Sequence, residues 1–278
     1  AQMSEGNSAR VVVVTSGKGG VGKTTSTAAM GAALAHLGDK VVVIDFDVGL
    51  RNLDLVLGAE RRVVFDLINV IHGVAKLPQA LIRDKRLENL YLLPASQTRD
   101  KDALTDDGVA KVIEELRGKF DWIVCDSPAG IERGATLAMR HADAAIVVTN
   151  PEVSSVRDSD RIIGLLDSKT EKAERGERVD KHLLVTRYRP WRAARGEMLS
   201  IDDVLEILSI PLLGIIPESE EVLCASNVGS PVTLNAPLSS PARAYFDAAR
   251  RLKGEQIPMR VPTESRGIFN KLFGRKAA

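Results

Sequence analysis

The chain has 278 residues, of which 44% are hydrophobic, so it can bury the core of one large domain or, less readily, of two small ones. Its 38 lysines and arginines nearly balance 37 aspartates and glutamates, and the net charge of +1 provides no overall attraction for nucleic acid. The two cysteines, Cys125 and Cys224, are too few and too far apart for a disulfide framework or a metal knuckle, which favours a reducing compartment.

The start of the chain carries no signal for export. Residues 1–10 contain no apolar run, so they cannot form a secretion signal, and we expect residues 1–9 to be a disordered lead-in. Elsewhere, no apolar stretch approaches the roughly 20 residues that a membrane-spanning helix needs. We therefore expect a soluble protein along most of its length.

Short β-branched runs alternate with longer segments of helical periodicity. The predicted strands are Val11–Thr15, Val41–Asp45, Leu90–Pro94, Trp122–Asp126, Ala144–Thr149, His182–Thr186 and Leu212–Pro217. The predicted helices are Thr24–Leu37, Val63–His72, Asp107–Arg117, Val153–Asp167, Ile201–Leu208 and Pro241–Lys253. This alternation is typical of an α/β fold with a mostly parallel, helix-flanked sheet, and we expect one such domain over residues 10–253.

Several predicted strands end in polar side chains, among them Thr15, Asp45, Asp126, Thr149 and Thr186. In open parallel sheets, ligands bind beyond the carboxyl ends of the strands. These side chains are therefore expected to converge on one site.

A glycine-rich loop follows the first predicted strand. Residues 17–24 satisfy the pattern G-x-x-x-x-G-K-[ST] between a strand and a helix, a context that disfavours an incidental glycine turn. The glycines allow backbone N–H groups to turn toward phosphate oxygens, and the helix N-terminus adds positive potential. Lys23 is expected to reach the β- and γ-phosphates of ATP, and the Thr24 hydroxyl to ligate Mg²⁺. The residues expected to contact the nucleotide here are Gly17, Lys18, Gly19, Gly20, Val21, Gly22, Lys23, Thr24 and Thr25.

Carboxylates follow two of the apolar strands. Asp45 and Asp47 close the second predicted strand, and Asp126 closes the fourth. An aspartate in this position can hold Mg²⁺ through water, although a helix N-cap or a turn is the alternative role for each. We expect these three aspartates to form the metal site together with Thr24.

A second lysine, Lys18, directly follows the first glycine of the loop, where a solvated surface lysine is the simplest interpretation. The segment KGGVGKTT, residues 18–25, resembles the deviant Walker A loop of the ParA/MinD family of dimerising ATPases. The resemblance implies a P-loop fold in which Lys18 reaches across a nucleotide-sandwich dimer to the phosphates of the partner. There it would stabilise charge during phosphoryl transfer.

The resemblance extends from about Arg10 to Lys276, through blocks such as DFDVGLRNLDLVLG, LPASQTRDKDALT, CDSPAGIE and TNPEVSSVRDSDRIIGLL. It is strongest with the members that position the bacterial division site. It implies that Asp47 positions the attacking water and that Asp126 is the aspartate of the second switch segment. The residues implied in catalysis are Lys18, Lys23, Asp47 and Asp126.

The resemblance also implies contacts outside the loop. Arg187, Pro217 and Glu218 match the region that holds the adenine. Asn52 and Asp158, with Lys18, match positions used in dimer and partner contacts.

The end of the chain predicts a membrane contact. Residues 254–265 are rich in proline and have little periodicity, so they are expected to be a linker. In residues 266–278, four basic and no acidic residues surround an apolar arc. This favours an amphipathic helix on an anionic membrane surface over a terminal helix packed on the core. The residues expected to meet the membrane are Ile268, Phe269, Lys271, Leu272 and Phe273.

The free energies involved indicate that one such helix is not enough for stable membrane binding. Burying four bulky apolar side chains contributes at most about 6–10 kcal/mol. Ordering about ten residues costs roughly 1–2 kcal/mol each, so a single tail is near balance. Two tails on one dimer gain about 10²–10⁴ in avidity, so membrane binding is expected to follow dimerisation.

The resemblance implies an ATP-switched protein. ATP and Mg²⁺ would drive homodimerisation, the paired tails would dock on the cytoplasmic face of the inner membrane, and the dimer would recruit the division inhibitor MinC. MinE would then stimulate hydrolysis, leaving ADP, and release the protein to the cytoplasm. A ParA-type DNA-partitioning ATPase is the alternative, but the balanced charge and the amphipathic tail disfavour binding to DNA. A third alternative, a membrane adaptor that binds nucleotide without hydrolysing it, is disfavoured by Asp47 and Asp126.

Overall fold

The structure, a computed structural model, describes residues 8–98 and 100–263. Eight strands lie in these residues: β1 (Arg10–Thr15), β2 (Val41–Asp45), β3 (Ile82–Arg83), β4 (Leu90–Leu93), β5 (Trp122–Asp126), β6 (Ala144–Thr149), β7 (Asp180–Tyr188) and β8 (Leu212–Pro217). They form one sheet in the order β3-β4-β2-β5-β1-β6-β7-β8. All neighbouring strands are parallel except β3 and β4, which are antiparallel.

Helices cover both faces of the sheet. They are α1 (Lys23–His36), α2 (Leu53–Val56), α3 (Leu67–Ile71), α4 (Leu77–Ala80), α5 (Asp106–Arg117), α6 (Arg133–Met139), α7 (Val153–Leu166), α8 (Glu171–Glu174), α9 (Pro190–Ala194), α10 (Ile201–Leu208), α11 (Glu220–Asn227), α12 (Val232–Asn235) and α13 (Ser240–Leu252). Two 3₁₀ turns, Glu60–Arg62 and Lys101–Ala103, lie between them. The predicted α/β class is confirmed.

The core consists of two layers divided by the sheet. Val11 and Val13 of β1 pack into the layer formed with α5, α6, α7 and α10. Val12 and Val14 pack into the opposite layer, formed with α1 and α13. Successive side chains of a strand point to opposite faces, so a strand buried on both faces is apolar at every position. This explains the continuous valine run of β1.

Strand β1 lies at the centre of the sheet, between β5 and β6. The chain first builds the β2 side and later adds β6, β7 and β8 on the other side. The strand order therefore reverses at β1, and the loop that follows β1 lies where such sheets bind ligands.

The structure differs from the predicted elements in several places, and helices α2, α4, α6, α8, α9, α11 and α12 were not predicted. The predicted helix Val63–His72 is wrong at its start, because the Asp66 carboxylate accepts a hydrogen bond from the Asn69 N–H and caps a helix that begins only at Leu67. Strand β3 was not predicted, since two residues are too few to produce a periodic pattern.

The two ends of the chain extend beyond the described part. Within that part, no helix is both long enough and apolar enough to cross a membrane. The expected lead-in is described only for residues 8 and 9, and the expected linker only as far as Thr263. The residues expected to meet the membrane lie outside the described residues; they are Ile268, Phe269, Lys271, Leu272 and Phe273.

Candidate nucleotide site

The glycine-rich loop joins β1 to the first turn of α1. Gly20 and Gly22 have φ angles of 77° and 85°, in the left-handed region that favours glycine. A Cβ atom on either residue would meet nothing within 4 Å, so backbone conformation rather than space requires glycine there. The Gly22 carbonyl accepts the Ser26 N–H at 2.9 Å and so begins α1. The free N–H groups of the first helical turn are thereby directed to the loop.

The first glycine of the loop is required for a different reason. A Cβ atom on Gly17 would lie 2.3 Å from the carbonyl carbon and oxygen of Asp158 in α7. The next residue, Lys18, is exposed, and its Nζ donates a long hydrogen bond of 3.4 Å to Ser154 Oγ on the same helix. The structure thus brings Lys18 and Asp158, two of the three predicted dimer residues, to the same side of the loop.

Asp126 lies at the end of β5, beneath the start of α1, and is almost fully buried. Its Oδ1 lies 2.8 Å from Lys23 Nζ and accepts the Thr27 hydroxyl at 3.0 Å. Its Oδ2 accepts the Thr24 hydroxyl, also at 3.0 Å. The carboxylate therefore orients both loop side chains predicted to contact phosphate and metal.

Asp45, the next strand end, lies beside Asp126 because β2 and β5 pair with these two residues in register. Its carboxylate accepts the backbone N–H groups of Asp47 at 2.9 Å and Leu53 at 3.2 Å. Burial, reinforced by the Asp126 charge, raises the pKa of Asp45 to about 7, while the two backbone N–H groups oppose the rise. Burial also raises the pKa of Asp47, and the Lys23 ammonium opposes that rise.

These side chains fit a magnesium ion that is bound together with phosphate. In the described residues there is no group of three or more His, Cys, Asp or Glu side chains arranged to hold a metal ion. Mg²⁺ does not require one, because it usually takes one or two protein ligands and fills its remaining positions with phosphate and water oxygens. The Thr24 hydroxyl and the Asp126 carboxylate are adjacent at 3.0 Å, and Asp45 and Asp47 add negative charge nearby.

A cavity of about 570 Å³ opens beside the loop, within the size range of small-molecule sites. The loop contributes Val21, Gly22 and Thr25 to its wall. The three residues predicted to hold adenine, Arg187, Pro217 and Glu218, line the same cavity. The other lining residues are Thr186, which was expected at the site as a polar strand end, and Ile216, Ser219, Glu220, Val222, Leu223, Ser226 and Tyr245, which were not predicted.

Two threonines add contacts to the site, and one of them, Thr27, is a site residue that the sequence analysis missed. Thr27 follows Lys23 by one helical turn, and this spacing on a polar helix start is the signal that could have identified it. The Thr186 hydroxyl lies 2.6 Å from the Val21 carbonyl of the loop and 3.0 Å from Asn150 Oδ1. Thr186 is one of the polar strand ends expected at the site, and its contact with the loop carbonyl is new.

Asn52, the third predicted dimer residue, lies apart from Lys18 and Asp158. It is exposed and directly precedes α2, in the segment that follows Asp45 and Asp47. Its carbonyl accepts the Val56 N–H at 3.2 Å, so its backbone begins that short helix. Its side chain is accessible for contact with another molecule.

Comparison with known proteins gives a consistent set of relatives. Residues 12–232 match the CobQ/CobB/MinD/ParA nucleotide binding domain. The chain is 62% identical to the septum site-determining protein MinD of Escherichia coli strain K12 over 269 residues, which cover 96% of this chain and 99% of that protein.

Solved structures show the same similarity. The MinC:MinD cell division protein complex of Aquifex aeolicus contains a chain that is 44% identical, with a TM-score of 0.82 over 91% of this chain and 99% of that chain. The septum site-determining protein MinD of Pyrococcus horikoshii OT3, complexed with Mg-ADP, is 32% identical, with a TM-score of 0.77 over 88% of this chain and 96% of that chain.

Proposed function

Since this chain belongs to the CobQ/CobB/MinD/ParA family of nucleotide-binding proteins, we propose that it is the ATP-driven switch of a system that positions the bacterial division site. It is a P-loop ATP hydrolase, and its cofactors are ATP or ADP with Mg²⁺. The observation that carries the proposal is a loop with two lysines in different settings. Lys23 is buried against Asp126, whereas Lys18 is exposed at the loop surface.

The buried half of the site would bind and activate the nucleotide. Lys23 would exchange Asp126 for the β- and γ-phosphate oxygens, and Thr24 with Asp126 would hold the metal ion. Mg²⁺, when bound, neutralises charge on those oxygens. Asp47 would accept a hydrogen bond from the attacking water, and the burial that raises its pKa makes its carboxylate a better base.

The exposed half of the site would be completed by a second copy of the chain. The 3.4 Å hydrogen bond to Ser154 is too long and too exposed to hold Lys18 firmly, so the lysine can turn toward a partner's phosphates at little cost. Exposed apolar side chains border the same edge of the sheet: Leu223 on the nucleotide cavity is 63% exposed, and Val153 beside Ser154 is 52% exposed. Both side chains are accessible to a second copy of the chain in an ATP-dependent homodimer.

Binding partners follow from the same switch. A relative 44% identical to this chain forms a complex with MinC, and we propose that the ATP-bound dimer of this chain binds the division inhibitor MinC. MinE would stimulate hydrolysis at the dimer and release the protein. Residues 266–278 would hold the dimer on anionic lipid at the cytoplasmic face of the inner membrane, because two weak tails act together.

Sedimentation with anionic vesicles tests this proposal. The full chain is incubated with vesicles and ATP, ADP or no nucleotide, each with Mg²⁺, beside a variant that lacks residues 266–278. We expect the ATP sample to sediment, the other two to stay largely in solution, and the truncated variant to stay in solution throughout. Vesicle binding that ignores the nucleotide, or that survives the truncation, would contradict the coupled switch.

A further inference from the structure

The chain turns back after α13 and runs along the same helix. The guanidinium of Arg251 donates to the carbonyl oxygens of Leu213 at 2.8 Å, Ile257 at 2.9 Å and Pro258 at 3.0 Å. Met259 is partly buried against the core. Although residues 254–263 contain no helix or strand, this part of the linker is therefore held to the body of the domain.

Between α13 and the returning chain lies a cavity of about 600 Å³. We call it the basic groove, and the residues that define it are Leu238, Arg243, Phe246, Arg250, Ile257 and Arg260. Within residues 8–98 and 100–263, the side chains of its three arginines make neither a hydrogen bond nor an ion pair. Asp247 and Glu255 also border the groove, and Arg243 and Arg260 extend into a neighbouring cavity of about 250 Å³.

The groove combines exposed cations with an accessible apolar wall. Arg243, Arg250 and Arg260 are exposed, Phe246 is half-buried, and Leu238 is 80% exposed. Arginines with long apolar stems around an apolar surface suit the boundary of an anionic lipid layer, where the charge meets phosphate and the stem meets glycerol and acyl groups.

Residues 266–278 of the same chain are poor occupants of the groove. Residues 266–278 carry four basic and no acidic residues, so the arginines of the groove repel them. An anionic surface attracts both. One surface can reach both, because Ile268 can lie at most about 18 Å from Thr263 even when the chain between them is extended.

We propose that the basic groove is a second membrane contact that binds anionic lipid headgroups, so that the body of the domain and the tail meet the same surface. This inference rests on the proposed membrane function and adds a binding site outside residues 266–278. Each arginine near an anionic surface strengthens binding about fivefold, so two arginines contribute about 25-fold per protomer, and more in a dimer whose two copies both meet the surface. The contribution falls as salt screens the surface.

The test compares two double variants of the full chain on vesicles rich in phosphatidylglycerol, with ATP and Mg²⁺. One variant is Arg243→Gln with Arg260→Gln. The control, Lys111→Gln with Arg178→Gln, removes the same charge from exposed positions outside the groove. ATP turnover in solution checks that both variants remain folded, and the truncated variant and an ADP sample are run beside them.

We expect the groove variant to bind vesicles at least about 25-fold more weakly and the control to change less than about twofold, with the difference shrinking as salt increases. Equal binding by the two double variants overturns the inference while the tail-driven switch stands. If the unmodified chain fails to sediment with ATP, both proposals fail. Inorganic phosphate and sodium chloride are also compared at equal ionic strength. If phosphate weakens vesicle binding more than sodium chloride does, the groove binds a free anion, and this also overturns the inference.

Discussion

The backbone of Gly17 lies against Asp158 so closely that a methyl group on Gly17 would come 2.3 Å from the Asp158 carbonyl. Ordinary contacts between carbon atoms lie at about 3.5–4.0 Å, so no side chain fits at position 17 unless α7 moves. The first turns of α7 also carry Ser154, the hydrogen-bond partner of Lys18. The position of α7 is therefore tied to the phosphate loop by contact with its first glycine.

Gly17→Ala is expected to lower the free energy of unfolding of the nucleotide-free protein by about 1–3 kcal/mol, because the added methyl group overpacks the contact with Asp158. Gly19→Ala is the matched control, since a Cβ atom on Gly19 meets nothing within 4 Å. It is expected to change stability by less than about 0.5 kcal/mol. Urea titration measures both, and equal stabilities would contradict the close packing of loop and helix.

The two loop lysines are expected to separate binding from turnover. Lys23→Ala removes the ion pair of buried Asp126 and the phosphate ligand together, so it should lower stability by about 3 kcal/mol and abolish ATP binding. Lys18→Ala changes an exposed side chain, so stability and ATP binding should persist while hydrolysis is lost. Calorimetric titration with ATP and a phosphate-release assay measure these effects. Unchanged hydrolysis by Lys18→Ala would exclude a role in the partner's site.

Arg251 is expected to control how freely the linker moves. Arg251→Met leaves three carbonyl oxygens without their donor and should lower the free energy of unfolding by about 1–3 kcal/mol. Endoprotease Glu-C, which cuts after Glu255, should then cleave the folded protein several-fold faster. The control is Arg250→Met, whose guanidinium has no partner among the described residues. Cleavage at the same rate in both variants would show that Arg251 does not fasten the linker.

Much of the site could be predicted because its residues form short patterns. The spacing of Gly17, Gly22 and Lys23 identified the loop, and the apolar run before Asp126 placed that carboxylate at the end of a strand. Both signals depend on residues that are close together in the sequence.

The remaining features depend on contacts between distant segments. The contact between Gly17 and Asp158 requires the packing of α7 beside β1, which no local pattern encodes. The partners of Arg251 are backbone carbonyls, which have no sequence signature. In the case of Asp66, a capping pattern was present, but the apolar run around it suggested a longer helix.

Asp45 is expected to make the nucleotide-free protein less stable as the pH rises. Burial, with the Asp126 charge, raises its pKa from 3.8 to about 7, so the folded chain keeps a proton that the unfolded chain releases. This contribution to stability is complete below the unfolded pKa and is lost as the pH rises through about 7.

The comparison with Asp45→Asn isolates this effect. Burial lowers the pKa of His182, so the contribution of His182 makes the folded protein more stable as the pH rises toward neutral. This opposes the effect of Asp45. The pH dependence of stability in the unmodified protein alone is therefore not decisive. Thermal unfolding in a metal chelator from pH 5 to 8 should show the unmodified protein losing stability relative to Asp45→Asn. A constant difference between the two proteins would contradict the raised pKa.

Thr186→Val is expected to weaken ATP binding through the loop backbone. The Thr186 hydroxyl lies 2.6 Å from the Val21 carbonyl, and valine keeps its shape but cannot donate to that oxygen. The control is Thr233→Val, because the buried Thr233 hydroxyl donates to the Ala29 carbonyl at 3.1 Å, about two helical turns along α1 from the phosphate loop. Each variant should lose about 1 kcal/mol of stability, since each removes one buried hydrogen bond. Only Thr186→Val should also raise the KM for ATP, because only that hydroxyl holds the phosphate loop against β7. If both variants raise KM equally, the effect belongs to general destabilisation, and Thr186 does not position the loop.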